Sequence, residues 1–130
     1  MERWFTATPD EVRAARHWVT ESLATHGCDR DGLDRAALIT TELAANVLDH
    51  TTSDRVGVIV TYANGTARIE VVHCDPSAQD PNPRDLVPES DRGRGLLLVE
   101  AMSSAWGTSA SADGRTVWAE VPCATAFASR

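Results

Sequence analysis

The chain reads as an α+β protein: a two-layer sandwich in which a mixed or antiparallel sheet carries all the helices on one face. Three observations predict this. Two long segments, residues 9–26 and about 31–50, repeat their apolar residues at helical spacing. Two pairs of β-rich runs meet at short turn signals, Asn64-Gly65 and Asp113-Gly114. The resulting order, β-α-α-β-β-loop-α-β-β, joins strands by hairpins, which demands antiparallel pairing and leaves the helices one side of the sheet to cover. A length of 130 residues suits one domain, expected over residues 1–122, with 123–130 as a fraying C-terminal tail after Pro122.

Each element has its own local cause. Residues 3–6 form a short strand. Thr8-Pro9-Asp10-Glu11 then starts a helix: Thr8 caps, Pro9 has the preset φ of a first helical position, and Glu11 completes a capping box. Val12, Ala15, Val19 and Leu23 fall on its inner face, and Gly27 ends it. A second helix from about Asp31 or Leu33 runs to His50, with Leu38, Leu43, Val47 and Leu48 able to face a core. Residues 55–62 and 66–73 make the first hairpin. From Cys74 to Arg92 the texture changes: Pro76, Pro81, Pro83 and Pro88, five acidic residues and no apolar period. A loop of this length inside a small domain is functional or disordered. A third helix is expected over residues 96–105, then strands at 106–111 and 116–121, with Trp106 and Trp118 as core aromatics.

Composition narrows the function classes. The net charge of −7 argues against nucleic-acid or anionic-membrane surfaces, which need clustered cations; all twelve Lys+Arg residues are Arg. No run approaches the ~18 apolar residues of a membrane span, and the N-terminus has no signal-peptide pattern. Cys28, Cys74 and Cys123 are widely spaced and odd in number, so a reduced, cytoplasmic protein is expected.

The chemistry concentrates in four places. Glu42, Asn46 and His50 lie four apart on the second helix and form one polar stripe. An amide oxygen is a hard ligand that Mg2+ accepts, and a carboxylate one turn away can take a proton from an attacking hydroxyl. Asp75, just past a strand end, can accept a hydrogen bond from an exocyclic amine such as that of adenine, or simply form a turn with Pro76. Gly93-Arg94-Gly95 opens the third helix at Leu96, where backbone N–H groups and the helix dipole favour a phosphate, with Arg92 and Arg94 adding charge. Thr116, after Gly114-Arg115, offers a hydroxyl to a base.

Taken together, the stretches Glu42–His50, His73–Ser77, Arg92–Glu100, Trp106-Gly107 and Gly114–Pro122 resemble the Bergerat-fold ATP-binding domains, and among them the small actinobacterial anti-sigma-factor serine/threonine kinases. The resemblance covers about residues 3–122. It implies ATP and Mg2+ as cofactors, Asn46 as the Mg2+ ligand, Glu42 as general base, Asp75 as reader of the adenine amine, Gly93 and Gly95 at the phosphates and the segment between Asp75 and Arg92 as an ATP lid. His50, Arg92, Arg94, Leu96 and Thr116 complete the expected nucleotide-binding set. It also implies a protein partner, a STAS-type antagonist phosphorylated on serine or threonine or a sigma factor that is bound, and leaves a homodimer open. The sequence departs from the family pattern at Ser77 and Gln79, where glycines are frequent, and at Asp49, where many relatives carry a basic residue. Those departures favour the alternative, a nucleotide-dependent partner-binding switch without phosphotransfer.

Overall fold

The structure, a computed structural model, describes residues 1–50, 54–73, 91–111 and 114–124. Its elements follow the expected order: β1 (Glu2–Thr6), α1 (Pro9–Thr25), α2 (Arg30–His50), β2 (Arg55–Ala63), β3 (Thr66–His73), α3 (Asp91–Met102), β4 (Ala105–Ser111) and β5 (Gly114–Pro122). The strands form one sheet in the order β1-β2-β3-β5-β4, antiparallel at every described pair. All three helices share one face of this sheet: α1 packs on β1 and β2, α2 on β3 and β5, and α3 against α2 and β4.

Local signals fix the elements where expected. The Thr8 hydroxyl accepts a hydrogen bond from Glu11 N–H at 3.3 Å, satisfying one of the helix donors that has no partner within the helix. Gly27 takes φ 86° after α1, a conformation that would strain a side chain. At the first hairpin Ala63 pairs Thr66, and the two turn residues, Asn64 and Gly65, have φ 54° and 76°. Positive φ at both is what a two-residue turn needs to follow the strand twist. The centre of the second turn, residues 112–113, lies outside the described residues, but its rims pair, Ser111 with Gly114.

Strand alternation sorts the sheet into two faces. Val56, Val58 and Val60, then Ala67, Ile69 and Val71, then Val117, Ala119 and Val121 are all buried beneath the helices. Against them pack Ala15, Val19 and Leu23 of α1, Ala36, Ile39, Leu43 and Val47 of α2, and Val99 of α3. Val12, Leu38 and Leu48 are only half-buried, so the inner stripe of each helix is narrower than its apolar pattern.

The opposite face is not bare. Trp4 lies across Gly57, its partner on β2, and Trp118 lies across Gly107, its partner on β4; a Cβ at either glycine would come within 2.8 Å of the indole. The Arg68 guanidinium sits 4.1 Å from the Trp118 ring centroid and pairs with Glu120 at 3.0 Å. Trp106 packs against the core as expected, but Trp118 does not: its register places it on the outer face, where the absent side chain of Gly107 makes room.

Of the expected tail, Cys123 and Ala124 are held to the domain, and residues 125–130 lie outside the described residues. Cys123 is buried and joined by a disulfide to Cys28, its N–H donates to Gly65 O, its carbonyl accepts from the Tyr62 hydroxyl, and Asp29 N–H donates to Ala124 O. The expected reduced state is corrected for Cys28 and Cys123, since a sequence separation of 95 conceals a Cα–Cα distance of 5.2 Å, while Cys74 lies outside the described residues. Among the described residues no helix is long and apolar enough to cross a membrane.

Candidate functional site

The site grows from the C-terminal half of α2. Helix α2 is anchored at its start, where Asp29 N–H meets Ala124 O, and runs back across β3 and β5 from the sheet's far end. Seventeen residues on, at ~1.5 Å each, Asn46 lies about 25 Å from that anchor. There it sits near the C-terminal end of β3 and the N-terminal end of β5.

Asn46 is buried, and among the described residues its Oδ1 has no hydrogen-bond partner. A buried carbonyl oxygen without a donor costs about 1–3 kcal/mol, so it is rarely left so without a use. With no donor on it among the described residues, a hard, neutral oxygen is left that suits Mg2+. One turn earlier Glu42 is half-buried, and loss of hydration pushes its carboxyl above the ordinary glutamate range. The pair therefore offers a metal-compatible oxygen beside a carboxylate made more basic by burial. Asp49, in the next turn, is exposed. Among the described residues no group of three or more His, Cys, Asp or Glu could hold a metal by itself.

Helix α3 brings the glycine pair to the same region by a different route from the expected one. It begins at Asp91, not at Leu96, so Gly93, Arg94 and Gly95 lie within its first two turns. Two glycines cost only ~1 kcal/mol each against alanine, which tertiary packing along α2 outweighs. The Arg35 guanidinium donates to Met102 O at 3.3 Å, fixing the far end of α3 beside the second turn of α2. Running back antiparallel from there, Gly93 comes level with the Glu42–Asn46 turn, since nine residues span about 13 Å on either helix.

The remaining expected residues fall in three groups. Asp75, Ser77, Gln79 and the lid segment up to residue 90 lie outside the described residues. His50 closes α2, and Arg92, Arg94 and Leu96 lie in α3; their backbones are placed here, while their side chains lie outside the described part. Thr116 is placed away from the others. It alternates with buried Val117 and shares the outer face with Trp118 and Glu120, opposite the helices. The residue of that strand on the helix side is Arg115, which the sequence reading passed over. It is half-buried and pairs in register with buried His73. Counting back by twos from Val121, Ala119 and Val117 would have found it.

A small apolar crevice between α1, α2 and the first strands, lined by Phe5, Val12, Ala44, Leu48 and Val56, encloses about 10 Å³, room for no more than a water. It takes no part in this chemistry.

Fold and site together define a class, a nucleotide-binding domain of the histidine-kinase type. The sequence profile of the histidine kinase-like ATPase domain matches residues 5–121, and the chain belongs to that family. Among solved structures it resembles the RsbU and RsbW domains of Rv1364c from Mycobacterium tuberculosis, with a TM-score of 0.67 and 20% identity over 95% of this chain. It also resembles the histidine kinase domain of the blue-light activated histidine kinase EL346 from Erythrobacter litoralis, with a TM-score of 0.55 and 16% identity over 86% of the chain. The matched chains are longer: this one covers 32% of the first and 61% of the second. No curated protein matches the sequence.

Proposed function

We propose that this domain binds Mg-ATP on the face formed by α2, α3 and the adjoining ends of β3 and β5, and uses it to phosphorylate a regulatory protein on serine or threonine. The observation that carries the reading is the unpartnered, buried Oδ1 of Asn46 one turn from a carboxylate whose proton affinity burial has raised. Asn46 would hold Mg2+ through that oxygen, and the ion, when bound, supplies neutralisation of phosphate charge. Glu42 would accept the proton of the partner's attacking hydroxyl; a raised carboxyl pKa makes it a stronger base for that transfer. The backbone N–H groups in the first turn of α3 would face the phosphates, with Arg92 and Arg94 near them, and Asp75 would read the adenine amine.

The partner class follows from likeness alone. One resembled structure contains a domain named RsbW, and the sequence resembles anti-sigma-factor kinases, so the proposed partner is a STAS-type antagonist as substrate, with a sigma factor as a second ligand. Incubation with labelled ATP and candidate STAS proteins tests this. Transfer to one of them, lowered about 10²–10⁴-fold in Glu42→Ala while Mg-ATP affinity holds, is the expected result. A specific feature favours the second reading, a switch without transfer: the acid at Asp49 and the absence of glycine at Ser77 and Gln79. Mg-ATP that alters partner affinity with no labelled product would establish it instead.

A further inference from the structure

The inner face of β5 puts a cation where the sequence pattern led to a hydroxyl. Arg115 has the same parity as Val117, Ala119 and Val121, which are buried under the helices, whereas Thr116 has the parity of Trp118, which lies on the outer face. Its cross-strand partner on β3 is His73, itself buried on the inner side. Along β5, Arg115 is nine residues from Ala124, about 30 Å at strand rise, against about 25 Å for Asn46 along α2 from the same anchor. Arg115 thus stands roughly one helical turn beyond Asn46, a gap that an extended arginine side chain spans.

The charge pattern gives this position a task. The described side chains of this end of α2, Glu42, Asn46 and Asp49, are acidic or neutral, so this helix end offers a polyphosphate no cation among the described side chains. By its parity Arg115 leaves the sheet on the helix side, and it is half-buried and so partly shielded from solvent. A guanidinium donates in a planar fork that matches phosphate oxygens, and does so more strongly where water is thinned. We propose that Arg115 contacts the phosphates of the bound nucleotide and offsets the negative charge that Glu42 and Asp49 bring to the site. The inference rests on the Mg-ATP reading above and adds to it a residue of this chain.

The test is equilibrium binding of Mg-ATP to the full chain by calorimetry, for wild type, Arg115→Gln and Arg115→Lys, with Arg115→Thr as a second strand-compatible variant if the glutamine form unfolds. Arg115→Gln should weaken Mg-ATP about 10- to 100-fold, the usual range for losing a hydrogen bond to a charged group, with the variant shown to be folded before titration. Arg115→Lys, which keeps the charge but loses the fork, should fall between wild type and Arg115→Gln, and the wild-type affinity should fall more steeply with salt than that of Arg115→Gln. Wild-type binding with an equal affinity in Arg115→Gln would overturn the role of Arg115 alone. A lysine variant as weak as the glutamine one would overturn the charge argument. Absence of Mg-ATP binding to wild type would remove the underlying reading and this proposal with it.

Discussion

At Asn46 and Glu42 the fold keeps two polar groups in surroundings that do not repay them. For Glu42 the pH dependence follows from the direction of its shift. Its carboxyl titrates near 4.5 when unfolded and higher when folded, so the folded state holds the proton over a window in which the unfolded chain has released it. The stability this provides is complete below about pH 4.5 and is lost as pH rises through the folded value. Glu42→Gln removes the effect: its stability relative to wild type should increase as pH rises from about 4 and then level off. Urea unfolding across pH 3.5–8 reads this directly, and a flat difference would mean that Glu42 is not desolvated. For Asn46, Asn46→Leu exchanges an amide whose Oδ1 has no partner among the described residues for a side chain of similar volume beside buried Leu43 and Val47. The ligand-free variant should be at least as stable as wild type, by thermal unfolding, because a buried acceptor without a donor is itself a cost. The stripe that holds both residues was legible from a spacing of four; that Asn46 is the buried member and Asp49 the exposed one was not, because only packing against the sheet decides it.

Among the elements, strand parity and helix caps reward different parts of the sequence. The Thr8 cap was legible as a run of three agreeing residues, and the bond to Glu11 N–H follows. Thr8→Ala should cost ~1 kcal/mol in urea unfolding with little else changed. The start of α3 was misjudged because glycines read as punctuation, whereas packing along α2 carries the helix through Gly93 and Gly95. The structure puts Thr116 on the outer face of the sheet, a placement that strand parity with Trp118 and Glu120 makes legible. The outer face of the sheet escaped sequence reading: Gly57 and Gly107 look like weak strand positions until Trp4 and Trp118 are placed across them. Gly57→Ala should therefore destabilise by about 1–3 kcal/mol, with altered tryptophan fluorescence, even though alanine is the better strand former by entropy. An unchanged unfolding midpoint would mean that the Trp4 ring moves aside freely.

For the molecule as a whole, order and layering were legible because hairpin turns and helical periods leave few ways to assemble one sheet with one helix face. What no local pattern could reveal was closure over a long distance. The Cys28–Cys123 bridge ties the entry to α2 to the exit from β5, and the Ala124 carbonyl reinforces the same junction. A link across 95 residues removes much conformational freedom from the unfolded chain, worth about 2–5 kcal/mol. Cys28→Ser and wild type in reductant should unfold at the same lower urea concentration, with oxidised wild type well above both; coincidence of all three would contradict the staple.

The central claim is that α2 presents a nucleotide-metal site whose key ligand is Asn46. Calorimetric titration of Mg-ATP into folded wild type and folded Asn46→Ala tests it most directly, because the substitution deletes one oxygen and leaves the buried Leu43 and Val47 in place. The account predicts saturable, Mg2+-dependent binding to wild type and loss of most of that affinity in Asn46→Ala. Equal Mg-ATP affinity in the two proteins would contradict it.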